Sequence, residues 1–282
     1  MVDFFKTRHH SSVALLLFVF FTTHSLDAAK KNDTKTSNIQ EQPSLNLELE
    51  DSILHEAAHG YSARFLRFIF TNFIDLDIDE TSYDGSTPLH LAVYNKEHNI
   101  ENMALLLKYG ANINAQDIYN ITPLHCAASL GDLKAVKLLV QYGANIHAED
   151  KNKWTPLFVA ALNGHDDCVL FLIQQKSYID HQDIRHWTPL MAAAYNGHES
   201  TTKLLILQGA STKSLSQSGY TAKRISREKK QDNITKLIPE AVKEYEKNLQ
   251  DCKDGKESAC PENLKGTVKK KEPKKDPCCR LC

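Results

Sequence analysis

Apolar positions along the middle of the chain fall into a recurring two-part pattern. In TPLHCAASLGD, Thr122 to Asp132, a short Ala-rich run opens on Thr-Pro and closes on Gly. Pro in a first helical turn is harmless, because its missing N–H has no intrahelical partner, and Thr before it suits the cap. Ala127 and Ala128 let such a helix approach its neighbours, and Gly131 allows the chain to turn. KAVKLLVQYGA follows, with Val136, Leu139 and Val140 on one stripe at helical spacing and Gly143 as the left-handed terminator. Residues 145–151 are then expected to form a hairpin loop to the next unit. SARFLRFIF, from Ser62, predicts another second helix through Phe65, Leu66, Phe68 and Ile69. The periodicity fails at both ends. Lys30 to Ser44 is polar and aperiodic, and Asp251 to Cys282 is dominated by Pro, Lys and polar residues that cannot build a core.

The pattern repeats at a fixed period. STPLHLAV, ITPLHCAA, WTPLFVAA, WTPLMAAA and YTAKRIS carry Thr87, Thr122, Thr155, Thr188 and Thr221, spaced 35, 33, 33 and 33 residues. YGANINAQD, YGANIHAED and QGASTKS, from Tyr109, Tyr142 and Gln208, keep the same period. T-P-L-H-x-A at this interval, closed by G-A-N-I-N-A-x-D, resembles the ankyrin repeat over about residues 48–248. The resemblance implies an all-α solenoid of about six helix-turn-helix units with β-hairpin loops, at residues 48–82, 83–117, 118–150, 151–183, 184–216 and 217–249. Each unit would bury its apolar faces only against its neighbours. It further implies a non-enzymatic protein-binding module with no cofactor and an unidentified protein target.

Departures from the pattern carry expectations of their own. The second unit is two residues longer, with the surplus in YNKEHNIENM between its helices. Lys176 replaces the helix-ending Gly in the fourth unit, which predicts an irregular loop. Phe158 and Met191 replace the motif histidine, and the sixth unit lacks Pro and is rich in Lys, Arg and Glu, as a capping repeat should be.

LHEAAHG, Leu54 to Gly60, also matches the zinc-protease pattern H-E-x-x-H, with His55 and His59 as candidate metal ligands and Glu56 as the base. No further His occurs in residues 62–68, and Glu80 falls in a loop between units. His55 aligns with His90 and His125, so a loop-bonding role implied by the family competes with a metal role.

The residue before each repeat threonine is Ser86, Ile121, Trp154, Trp187 and Tyr220. In the ankyrin family this position borders the concave face, where targets commonly bind. Tyr94, Asn95, Ser129, Leu130, Leu162, Asn163, Tyr195 and Asn196 are expected on the same face, with Tyr83, Tyr119 and Arg185 at loop tips. Trp, Tyr and Arg dominate binding hot spots, and the aromatic series equally suits a scaffold role in propping the next hairpin.

Composition adds little to this picture. A formal net charge of −1 across 282 residues gives no global reason to expect nucleic acid as a partner. The termini add more. Lys6, Arg8, His9 and His10 precede the apolar run Val13 to Phe21, and small residues follow near Ser25 and Ala28. That layout predicts a signal peptide over residues 1–28, then a linker over 29–47; an uncleaved anchor is the other reading. The expected location is secreted or periplasmic, with delivery to a host cell by resemblance to exported interaction proteins of host-associated bacteria. The expected oligomeric state is monomeric. Cys252, Cys260, Cys278, Cys279 and Cys282 crowd the tail, residues 250–282, which is expected to be disordered. Disulfides, a thiolate metal site, lipidation behind the Lys run and incidental thiols all remain open there, and the tail offers the one expected membrane contact.

Overall fold

In the computed structural model, residues 53–72, 76–95 and 99–253 are described. The N-terminal export pattern, the linker and Cys260, Cys278, Cys279 and Cys282 lie outside them. Twelve helices form six consecutive pairs among the described residues, with no strand. They are α1 (Ile53–Gly60), α2 (Ala63–Asn72), α3 (Pro88–Tyr94), α4 (Asn99–Lys108), α5 (Pro123–Leu130) and α6 (Leu133–Gln141). The other three pairs are α7 (Pro156–Asn163) with α8 (Asp166–Gln174), α9 (Pro189–Asn196) with α10 (Glu199–Leu207), and α11 (Ala222–Glu228) with α12 (Asp232–Lys253).

Two compact units divide the chain between Ile118 and Tyr119. In the first, α1 packs on α3 and α2 on α4. Phe65, Leu66 and Ile69 fill its core with Ile53 and Leu54. In the second, the first helices α5, α7, α9 and α11 stack in order, and the second helices α6, α8, α10 and α12 stack behind them. Ala127, Ala128, Ala160, Ala161, Ala193 and Ala194 are wholly buried along the first row. Side chains of one methyl let the helices approach closely, and stacking buries what no pair could bury alone.

The expected β-hairpins are turns instead. The Asp183 N–H donates to the Trp187 carbonyl (2.9 Å) and the His186 N–H to the Asp183 carbonyl (2.9 Å). The Asp183 carboxylate then accepts from the N–H groups of Arg185 (2.8 Å) and Trp187 (2.7 Å). A side chain thus satisfies the donors that a longer ladder would have paired, and no strand forms. Successive loops of the second compact unit share one backbone bond each, Lys151 N–H to Tyr119, Ile184 N–H to Asn152 and Gln217 N–H to Arg185, at 2.9–3.1 Å.

The loop after α8 is regular, contrary to the expectation for Lys176. Lys176 itself takes the left-handed conformation, φ 70°. It donates to the Ile173 carbonyl (2.9 Å), and Ser177 to Leu172 (3.0 Å), the same pair of bonds that Gly143 and Ala144 make to Val140 and Leu139. The packed repeats of the second compact unit dictate this backbone, and one strained residue does not override them.

The last helix also runs to Lys253, past the expected boundary at residue 249. Ile234, Ile238 and Ala241 bury its inner stripe, and Cys252 is buried and disulfide-bonded. Helix α12 is therefore a long packed cap, tied to α10 by a Lys203–Glu244 ion pair (2.9 Å).

Candidate functional site

The first helices α3, α5, α7, α9 and α11 each start at a Thr cap, and in some repeats the motif histidine adds to it. The Thr122 N–H donates to His125 Nδ1 (3.2 Å). That nitrogen is therefore unprotonated, so Nε2 carries the proton and donates to the Trp154 carbonyl (2.9 Å). His125 thus bonds one unit to the loop of the next. His55 does the same in the first unit, with Nε2 2.9 Å from the Ser86 carbonyl. His55 is buried, whereas His59 is exposed one turn on. Among the described residues, no three His, Cys, Asp or Glu are grouped to hold a metal. The H-E-x-x-H helix thus carries a hydrogen bond from His55 to the next repeat, and no metal-ligand group accompanies it among the described residues.

Without the histidine, the fourth and fifth repeats use different contacts. Phe158 stacks on Trp154 (ring centroids 5.3 Å), and the Trp154 indole N–H donates to Asp183 Oδ2 (3.2 Å). Trp154 is therefore braced by its own neighbours. Trp187 is placed differently. It meets Tyr195 edge-on at 5.1 Å and lies under the Arg185 guanidinium at 4.9 Å. It is half-buried, and its indole N–H has no partner among the described residues. Tyr220, one loop on, carries the Arg224 guanidinium 4.0 Å from its ring. Half-buried Ile121 and exposed Tyr119 and Leu130 lie at the start of the second compact unit.

Several expected face residues have structural contacts. The Asn163 amide donates to the Ser129 carbonyl and hydroxyl (both 3.2 Å), and Asn196 to the Leu162 carbonyl (2.7 Å). Both are exposed but brace adjacent units. Asn95, in the first compact unit, is buried and donates to the Ala58 and Tyr61 carbonyls, so it is not a surface residue. Tyr83 and Tyr94, also in the first compact unit, are exposed.

Two sets of residues were missed. Asp150 and Asp183 anchor the loops that present Trp154 and Trp187; each closes an A-x-D or equivalent segment at the repeat period, which was visible in the sequence. His165 and His198 donate across units to the Ser129 (2.9 Å) and Leu162 (3.0 Å) carbonyls. Their signal was N-G-H, at Asn163 and again at Asn196.

Comparison with known families decides the class. The model described as "Ankyrin repeats (3 copies)" matches residues 25–117 and 115–183, and "Ankyrin repeat" matches residues 185–215. The chain belongs to the ankyrin repeat family. Members of this family are generally non-enzymatic protein–protein interaction modules. The ankyrin repeats here are similar to a putative ankyrin repeat protein of Rickettsia felis, at 41% identity over 23% of this chain and 21% of that one. They are also similar to the probable 26S proteasome regulatory subunit p28 of Saccharomyces cerevisiae, at 29% identity over 48% of this chain and 63% of that one. A probable palmitoyltransferase, AKR2 of Saccharomyces uvarum, is 37% identical over 25% of this chain and 10% of its own length. The chain thus spans less than two thirds of each of these relatives. No helix among the described residues is long and apolar enough to cross a membrane.

Proposed function

We propose that this ankyrin array is a non-enzymatic binding module whose target protein lies against the face bordered by Ile121, Trp154, Trp187 and Tyr220. The observation that carries the proposal is Trp187, held in place by Tyr195 and Arg185, half-exposed, with an unmatched indole donor. A rigid aromatic with an open polar handle gains contact area at low entropic cost, as binding anchors do. The target is a protein, bound without a cofactor by a monomeric chain. Nucleic acid is not a partner, and any membrane contact runs through the C-terminal tail.

Affinity capture with crosslinking from host and self extracts tests this reading. Replacing both Trp154 and Trp187 is ambiguous, because Trp154 braces the next loop. Trp187→Ala is the clean variant. It should abolish capture and crosslinks to this face while leaving helical content unchanged. Retained capture would show that the surface lies elsewhere. The charged, apolar and small-residue order at residues 1–28 supports export, and N-terminal sequencing of secreted and cell-associated chain tests it.

A further inference from the structure

The loop and first helix of the last repeat are mostly basic. Residues 217–231 hold five basic side chains and one acidic, Glu228. A terminal repeat needs a polar outer face, and solubility does not require that face to be basic. The placement of these cations is specific. Lys229 Nζ lies 4.2 Å from the centroid of Tyr195, whose ring meets Trp187, which in turn lies under Arg185. Cation, ring, ring and cation therefore form one continuous row, from Arg185 through Trp187 and Tyr195 to Lys229. The next loop, which presents Tyr220 under Arg224, is tied to this row by the bond from Gln217 to Arg185 (2.9 Å).

A cation resting on an aromatic face is oriented before any partner arrives, so less freedom is lost on binding. A guanidinium stacked on a ring keeps its in-plane N–H donors for carboxylates. The local carboxylates leave most of this capacity open. Asp183 takes one edge of Arg185 at 3.4 Å, and Glu228 approaches Arg224 only to 3.9 Å on the exposed surface. Lys229 has no carboxylate partner among the described residues.

We propose that this end of the array binds an acidic segment of the partner, one in which aromatic or apolar side chains interrupt carboxylates. The proposal rests on the reading of Trp187 as part of a binding surface and adds the chemistry of what it binds. Cations and rings also suit single-stranded nucleic acid, but that mode uses a basic groove tracking many phosphates, whereas the row here is compact and the chain's net charge is −1.

The test is fluorescence anisotropy of the full chain with three labelled probes: a random copolymer of Glu and Tyr, a random copolymer of Lys and Tyr, and a thymidine oligonucleotide. The Glu–Tyr copolymer should bind best and weaken as salt rises. The pair Arg224→Glu and Lys229→Glu should weaken it about tenfold or more, as should the neutral pair Arg224→Gln and Lys229→Gln to a smaller degree. The same charge change at exposed positions away from the row, Lys134→Glu with Lys213→Glu, should leave binding unaltered. Equal or tighter binding of the Lys–Tyr copolymer or the oligonucleotide would overturn the proposal, and so would full binding by the Arg224 and Lys229 pair. If Trp187→Ala abolishes protein capture but the Glu–Tyr copolymer never binds, the acidic class is wrong and the binding surface stands. If capture ignores Trp187, the surface itself is wrong.

Discussion

Lys176 offers a direct measurement of how strongly the array imposes its backbone on one residue. Its φ of 70° lies in the left-handed region, where a residue with a Cβ is strained by roughly 1–2 kcal/mol. The side chain is exposed and makes no hydrogen bond, ion pair or ring contact among the described residues, so replacing it removes mainly the strain. Glycine relieves that strain but gives the unfolded chain more freedom, which offsets about 0.4–1 kcal/mol. Lys176→Gly should therefore stabilise the protein by about 0.5–1 kcal/mol. At the equivalent position, Gly143 has φ 92° and open space where a Cβ would go. Gly143→Ala should lose a similar amount, from backbone strain alone. Urea unfolding of the whole chain, followed by far-ultraviolet circular dichroism, reads both changes as opposite shifts in midpoint at constant slope. In thermal scans each kcal/mol corresponds to about 2–4 °C for an array of this size. If Lys176→Gly destabilises, or if both variants are neutral, the left-handed backbone after α8 is not enforced by the neighbouring units and the reasoning fails.

Further outcomes follow from contacts across the repeats. Asp183→Ala removes a buried acceptor for two loop N–H groups and the Trp154 indole. It should cost about 3 kcal/mol and shift tryptophan emission to the red; a loss under about 1 kcal/mol would show that the carboxylate does not hold the loop. At Gly131 an added Cβ would sit 2.4 Å from the His165 ring, in addition to a φ of 70°. Gly131→Ala should therefore destabilise clearly more than Gly143→Ala in the same urea assay, and equal effects would remove His165 from its inter-unit role. Burial, then Asp132 and Asp167, push the Cys168 thiol up from 9.0 to about 11. Thiol labelling at pH 8 should thus need unfolding. The unfolded chain ionises this thiol first, so its contribution to stability is complete below pH 9 and declines as pH rises toward 11. Rapid labelling of the native chain at Cys168, compared with a Cys168→Ala control, would contradict its burial.

Much of the fold was legible because repetition multiplies a weak local signal. One T-P-L run would mean little, but five threonines at a near-constant interval mark five helix starts. Even LHEAAHG was decided by alignment, since His55 falls on the register of His90 and His125. The candidate surface was legible only as a series of residue types. Trp154 and Trp187 occupy the same register position, yet one is braced by Phe158 and Asp183 while the other presents an open indole edge. Asn163 and Asn196 similarly looked like contact residues until their amides were seen to donate to the preceding unit.

Helix starts, the repeat length, the small-residue helix faces and the glycine terminators were determined by the sequence itself. Each depends on a residue and its near neighbours in the chain: a cap, a missing N–H, a side chain of one methyl, a residue without Cβ. The tertiary structure decided which polar and aromatic side chains brace adjacent units and which remain available to a partner. Several of the deciding hydrogen bonds, such as Trp154 to Asp183 and Asn196 to Leu162, span about one repeat of the chain. A periodic sequence places those groups in register, and only the packed neighbours determine which of them meet.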